Sequence, residues 1–209
     1  GDYDIVRLSW ERCGINYTYD IDFDADGKKV IDESSVNNLK LFANIWGLFR
    51  RNTQVLFNEF LKNGEDSLFV IENFVKSKSR KMLLMNYPFY HYTVVLKSAS
   101  DMLESDRFWA HQKFLKQVLC LKEFFPKIDF LVKKHEYTDY FALMCYMIDE
   151  KKDCVDGMNI KSVENHIRKL RKFGAQYDSF VMEVKYFLYR FRFVSIYKFL
   201  KHIQKWVVK

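Results

Sequence analysis

The residues with the clearest potential for chemistry form one stretch near the start of the chain, from Asp22 to Glu33. It carries aspartates at its first, third and fifth positions, a glycine at the sixth and a glutamate at the twelfth. An EF-hand loop uses this spacing to surround one Ca²⁺ ion with about six to eight oxygen atoms. The sequence therefore predicts a calcium site whose ligands are Asp22, Asp24, Asp26, the carbonyl of Lys28 and Glu33.

The same stretch also fits the turn of a β-hairpin. A helix should precede an EF-hand loop, yet the residues before this one alternate between apolar and polar, which indicates a strand. Position eight, usually apolar in an EF-hand loop, is Lys29, and Lys28 adds a second positive charge. Asp-Ala-Asp-Gly at residues 24–27 is typical of a tight turn before Val30. Both interpretations stay open at the level of sequence.

The composition indicates one substantial, mainly helical domain. Of the 209 residues, 49% are apolar and 18% aromatic, which is enough for a large core. Only two prolines and seven glycines interrupt the chain, and this favours long helices. No apolar run approaches the roughly 20 residues that a transmembrane helix needs.

The four cysteines indicate a reducing compartment. They occur singly, without the paired Cys-x-x-Cys spacing of a zinc site or the density of a disulfide-rich secreted domain. We therefore expect free thiols and an intracellular, cytoplasmic location.

The charge is unevenly distributed along the chain. The net charge is +7, but residues 1–36 contain 4 basic and 9 acidic side chains, whereas residues 161–209 contain 12 basic and 3 acidic ones. A short basic, polar stretch at residues 76–81 has the composition of a loop or a solvated helix end. This asymmetry predicts an acidic N-terminal part and a basic C-terminal part that contact either each other or different partners.

From Glu33 onward, apolar residues recur mostly at helical spacing. We expect an all-α fold, a single bundle of about eight or nine helices, with a short N-terminal β-hairpin as the alternative for its first residues. The predicted division is an acidic arm or hairpin at residues 1–33 and a helical domain at residues 34–209. The predicted helices lie within residues 36–50, 55–61, 68–75, 90–103, 105–124, 128–132 and 137–148, and two or three more in the last 50.

The C-terminal segment predicts a partner-binding helix. An apolar seam at intervals of three and four residues runs from Tyr189 to Val207, with basic residues off the seam. Such a helix either packs in a core with a solvated basic side or binds an acidic protein surface or an anionic membrane surface. The aromatic residues fit the seam, which disfavours nucleic acid as the partner. The basic residues in question are Arg190, Arg192, Lys198, Lys201 and Lys205.

Motifs for catalysis are missing from the sequence. It contains no phosphate-binding glycine loop, nucleophile elbow or metalloprotease helix motif, so we expect a protein that is not an enzyme. The alternative class is a helical ligand- or cofactor-binding domain. His135 and His166 are separated by about the interval of the two haem-facing histidines of globins, although a polar break at residues 149–159 lies between them.

Two segments resemble the regulator of G-protein signalling (RGS) family. Residues 56–62 with Leu68-Phe69 and Phe74 are similar to its early helices, which carry a Phe-x-x-Phe-Leu segment. Residues 173–176, Met182-Glu183 and residues 189–197 are similar to its closing helices. This resemblance implies a helical signalling module with a scaffolding or divergent regulatory role, to which the Asp22–Glu33 stretch would add a response to calcium. The acidic-Glu-Asn segment that contacts Gα is missing near residues 64–67, so accelerated GTP hydrolysis is not implied.

A fainter resemblance links the chain to the ligand-binding domain of nuclear receptors. It rests on Glu136-Tyr137 and on Val163-Glu164 before Tyr177. The resemblance implies an apolar ligand pocket among helices, but the helix 3–5 signature of those receptors is absent. The leading expectation is a non-enzymatic module for protein–protein interaction.

Overall fold

A computed structural model describes residues 3–12, 15–17, 19, 21–43, 47–50, 55–61, 64–92, 104–175 and 180–199. The chain divides into two compact units, residues 1–132 and residues 133–209. The boundary falls within a helix rather than after the acidic stretch at residue 33. The first unit contains a five-stranded sheet, so the prediction of a single all-α bundle is wrong.

The sheet of the first unit is built around two long parallel strands. The five strands are β1 Ile5–Arg12, β2 Ile15–Tyr17, β3 Lys28–Asp32, β4 Gly47–Phe49 and β5 Lys81–Tyr92. Strand β1 lies beside β5, and register shifts occur between Leu8 and Trp10, where β5 contains extra residues. Two short strands, β2 and β4, pair antiparallel with different ends of the other edge of β1. Strand β3 pairs antiparallel with β5.

Two helices and two 3-10 turns cover this sheet. They are a 3-10 turn at Leu39–Phe42, α1 at Glu65–Lys76, α2 at Glu104–Leu119 and a second 3-10 turn at Cys120–Glu123. One cluster of buried residues joins them to the sheet, with Phe74 tilted against Phe42 at 5.3 Å and against Phe125 at 6.3 Å between ring centroids. The core of the first unit is therefore mainly aliphatic, and Phe74 of α1 lies at the centre of its aromatic contacts.

Arg7 is a charged residue at the centre of this core. Its side chain is fully buried and donates hydrogen bonds to the carbonyls of Leu41 and Ala43. The guanidinium lies 5.7 Å from the centroid of the Tyr19 ring. Burial lowers the pKa of Arg7 because the charged form loses its hydration. Arg7 thereby fixes the chain after the first 3-10 turn against β1.

The second unit is helical and contains one small hairpin. Its elements are α3 Ile128–Asp149, which begins in the first unit, the strands β6 Cys154–Val155 and β7 Met158–Asn159, and the helices α4 Ile160–Lys172 and α5 Phe180–Arg190. Residues 194–199 are also helical. The side chain of Asn159 caps α4 by accepting from the backbone N–H of Ser162 at 2.9 Å, which starts this helix directly after β7.

All three long helices of this unit end in the same backbone motif. In each, an N–H bonds to the carbonyl five residues earlier, as from Lys152 to Met147, from Ala175 to Leu170 and from Phe193 to Leu188. The residue before each donor has positive φ, which makes these ends Schellman motifs. Glycine occupies the left-handed position after α4, but Lys151 and Arg192 occupy it after α3 and α5.

Several predicted helices are corrected by the sheet. Residues 36–50 contain a 3-10 turn and β4 rather than a long helix, and the described residues 55–61 contain no helix. The predicted hairpin around residues 24–27 is also wrong, because the strand after this turn, β3, pairs with β5 and not with the residues before the turn. The helices at residues 68–75 and 105–124 and the break at 149–159 are confirmed by α1, by α2 with its 3-10 turn, and by the β6–β7 hairpin. The predicted pieces 128–132 and 137–148 are one helix, α3.

Candidate functional site

The acidic stretch forms a turn that leads into a strand. Asp24 Oδ1 accepts hydrogen bonds from the backbone N–H groups of Asp26 at 3.0 Å and Lys28 at 2.7 Å. Gly27 has a φ of 69° and donates its N–H to the carbonyl of Asp24. One carboxylate oxygen of Asp24 is thus already used by the backbone, as in an Asx turn.

The structure does not gather the five predicted calcium ligands at one point. Strand β3 separates Lys28 from Glu33, and at about 3.3 Å per residue this amounts to roughly 16 Å. Glu33 forms an ion pair with Arg80, and Lys28 lies 3.8 Å from Asp26. A calcium site with all five ligands requires β3 to leave the sheet, and the calcium prediction made from the sequence stays untested.

A turn at each end of β3 satisfies backbone hydrogen-bonding groups on its outer edge, the edge that faces away from β5. At this edge the carbonyl of Lys28 accepts from the backbone N–H of Asp24, and the N–H of Lys28 donates to Asp24 Oδ1. At the other end of the strand, the carbonyl of Asp32 accepts from the N–H groups of Ser35 and Val36. Backbone groups of a strand alternate between its two sides, so Val30 is the residue left with both groups facing the open edge. Among the described residues no strand pairs with this edge. The edge is too short to bind an extended peptide.

Three of the predicted partner-binding cations lie in the described part of the second unit, and Lys201 and Lys205 lie outside the described residues. Arg190 lies 5.5 Å from the centroid of the Phe191 ring. Arg192 is paired with Glu164 at 3.0 Å, and Lys198 with Asp149 at 2.8 Å. The ion pairs hold the latter two side chains close to the body of this unit.

The signal that the sequence analysis missed is the exposure of the aromatic residues beside these cations. The sequence left open whether the seam packs in a core or binds a partner, and five large apolar side chains between residues 187 and 199 are about half exposed. Of the described seam residues Tyr189, Phe193 and Ile196, only Tyr189 is buried. Phe187 lies on α5, and Phe191 directly follows this helix. The N–H of Phe191 bonds to the carbonyl of Phe187, so the two residues lie one helical turn apart. The exposed fractions are 45% for Phe187, 56% for Phe191, 55% for Phe193, 49% for Ile196 and 64% for Phe199.

A network of aromatic rings and charges holds α5 beneath this surface. Arg171 donates to Glu183 at 2.7 Å and to the hydroxyl of Tyr137 at 3.0 Å. The Tyr189 hydroxyl donates to Asp149 Oδ2 at 2.9 Å. Burial, followed by this hydrogen bond to a carboxylate, raises the pKa of Tyr189. The interior side of α5 is therefore fixed, and its other side is open.

His166 in the second unit has structural partners. His166 Nε2 lies 3.1 Å from Glu136 Oε1, and its ring stacks on Tyr140 at 4.0 Å between centroids. A histidine that binds haem uses this ring nitrogen to coordinate the iron, but in His166 the nitrogen contacts a carboxylate. Cys145 is buried, and burial raises the pKa of its thiol to about 12, so it is a poor nucleophile. The haem prediction is untested and stays a prediction.

A polar cleft in the first unit was not predicted. It has a volume of about 360 Å³ and lies where the end of β3 meets the loop before β5. Three hydrogen bonds from Ser34 and Ser35 hold the pKa of Asp32, on its wall, below the usual range. The lining residues are Asp32, Glu33, Ser34, Lys78, Ser79 and Arg80.

Comparisons with protein-family models, with curated proteins and with solved structures give no match. The RGS and nuclear-receptor resemblances therefore rest on the sequence alone. Of the two RGS-like segments, residues 56–61 lie outside any helix, while residues 180–190 and 194–199 are helical. Within the described residues, none of the helices has the length and apolar character to cross a bilayer.

Proposed function

We propose that the protein is a non-enzymatic interaction module that binds an acidic, apolar protein segment through the surface formed by Phe187, Phe191, Phe193, Ile196 and Phe199, here called the aromatic face. The supporting observation is the exposure of these five large side chains within thirteen residues of one another. Large apolar side chains exposed together in one short segment are typical of a protein interface.

The charge around the aromatic face favours an acidic partner. Residues 161–209 contain 12 basic and 3 acidic side chains. Arg190 lies beside Phe191, and Lys198 lies next to Phe199 in the chain. Positive charge at the rim increases the association rate of an acidic partner, while buried aromatic rings contribute most of the affinity.

A labelled peptide tests this proposal. The probe is a synthetic amphipathic helix with leucines on one side and glutamates on the other, and its fluorescence anisotropy is followed during titration with the full chain. We expect saturable binding that weakens with salt and falls about tenfold or more in Phe191→Ala or Phe199→Ala. The matched control is Phe60→Ala, because Phe60 is 94% exposed but lies in the first unit.

The other partner classes are outcomes of the same experiment. Vesicles containing phosphatidylserine and a nonspecific oligonucleotide are titrated under the same conditions. Failure of the peptide to bind, or binding that is equal in Phe191→Ala and the parent, would contradict the proposal. If the chain binds the vesicles or the oligonucleotide but not the peptide, its partner is a lipid surface or a nucleic acid and not an acidic protein segment.

A further inference from the structure

The cleft between β3 and the loop before β5 combines opposite charges in one small space. Its lining contains two cations, Lys78 and Arg80, and two carboxylates, Asp32 and Glu33. The remaining lining residues are serines, so the wall is polar throughout. A volume of about 360 Å³ is at the lower end of the range for small-molecule sites. This lining favours a polar ligand.

Some of the polar groups in the cleft are already satisfied. Arg80 is paired with Glu33, and Asp32 Oδ1 accepts from both serine hydroxyls that follow it. The hydroxyl of Ser79 donates to Asp4 at 2.8 Å. These contacts fix the two walls of the cleft and stiffen them before any ligand binds.

Other polar groups in the cleft are free to bind. Lys78 is exposed and forms no ion pair or hydrogen bond with any described residue. The second carboxylate oxygens of Asp32 and Glu33 accept no hydrogen bond from a described residue, and Arg80 keeps donors beyond the one used by Glu33. A third cation is near, because Lys127 Nζ donates to the carbonyl of Ser34 at 2.9 Å.

A ligand that uses the whole lining must accept hydrogen bonds from the two cations and donate hydrogen bonds to the two carboxylates. A simple anion would face two carboxylates, and a simple cation would face Lys78 and Arg80, so neither uses the whole lining. We infer that the cleft binds a small phosphate monoester that also carries hydroxyl groups, such as a sugar phosphate. Its phosphate contacts Lys78 and Arg80, and its hydroxyls donate to the free oxygens of Asp32 and Glu33.

Calorimetric titration of the full chain with glucose 6-phosphate tests this inference, with glucose and inorganic phosphate as separate arms. We expect glucose 6-phosphate to bind more tightly than either. Lys78→Ala should weaken its binding about tenfold or more, because it removes the free cation from the wall. The matched control is Lys29→Ala, which removes an exposed lysine of β3 that does not line the cleft.

Three results would overturn the inference. The first is no heat and no rise in melting temperature with glucose 6-phosphate. The second is equal binding by inorganic phosphate, which would show that the carboxylates contribute nothing. The third is equal loss of affinity in Lys78→Ala and Lys29→Ala, which would show a nonspecific charge effect. None of these results bears on the aromatic face, which lies in the other unit.

Discussion

The guanidinium of Arg171 lies 4.5 Å from the centroid of the Tyr186 ring and pairs with Glu183 at 2.7 Å. One residue of α4 thus holds α5 by a cation–π contact and an ion pair. Both partners of the ion pair are mostly shielded, with side-chain exposures of 23% and 20%. In such an environment the charges depend on each other, because loss of one leaves the other without compensation.

Substitution of Arg171 by leucine should therefore destabilise the protein markedly. We expect Arg171→Leu to lower the free energy of unfolding by about 2 kcal/mol, since Glu183 and the Tyr137 hydroxyl lose their donor. Urea denaturation followed by circular dichroism measures the change. The control is Arg168→Leu on the same helix, whose ion pair with Glu164 at 3.9 Å is more exposed and should contribute less than about 0.5 kcal/mol. Equal effects would contradict the assigned role of Arg171.

The tyrosine in this network predicts loss of stability in alkali. Burial raises the pKa of Tyr137 to about 12, whereas the unfolded value is about 10. The unfolded chain then releases this proton first, so stability is full below pH 10 and declines as the pH rises toward 12. Urea midpoints measured across this range should fall less steeply in Tyr137→Phe than in the parent. Tyr87→Phe is the control, because Tyr87 is 61% exposed. The prediction fails if the urea midpoint of both variants falls with pH as steeply as that of the parent protein.

The Schellman motifs predict a stabilising substitution. Lys151 has a φ of 53°, a conformation that costs an ordinary residue about 1 kcal/mol and glycine almost nothing. Lys151→Gly should raise the free energy of unfolding by about that amount. Gly174→Ala, at the equivalent position after α4 with a φ of 79°, should lower it by a similar amount. Thermal denaturation of both variants checks the opposite signs, and a destabilised Lys151→Gly would show that this end of α3 is not strained.

A calcium titration tests the prediction made from the spacing of Asp22 to Glu33. In the described fold Glu33 is paired with Arg80 and is separated by β3 from the three aspartates of the turn. We therefore expect no heat of binding and no rise in melting temperature at millimolar calcium. Asp22→Ala should behave like the parent. Calcium uptake that disappears in Asp22→Ala would show instead that β3 leaves the sheet to complete the loop.

Local patterns were enough to predict some elements. Helices α1 and α2 were found because their apolar residues recur at helical intervals, and the polar break at residues 149–159 marked the β6–β7 hairpin. The turn at Asp24–Gly27 was also expected from its residue types. These features depend on neighbours in the chain, which a sequence shows directly.

The sheet and the cleft depend on distant residues, and this is why they escaped prediction. Residues 36–50 have helical spacing, yet Gly47 begins β4, where a side chain would collide with the backbone of Val6. The residues of β5 gave no period-two signal, since Leu83 and Leu84 are neighbours in a strand partly covered on both faces. Asp32 and Lys81 are paired across strands, and that pairing brings the two walls of the cleft together.

The parallel pairing of β1 with β5 also sets the order of events during synthesis. Residues 13–80 separate the end of β1 from the start of β5, so the first strand leaves the ribosome without its principal partner. At about 5–20 residues per second, this delay lasts roughly 3–14 s. During that time Ile5, which is buried in the finished protein, is without its register partner Met82 and is available to chaperones.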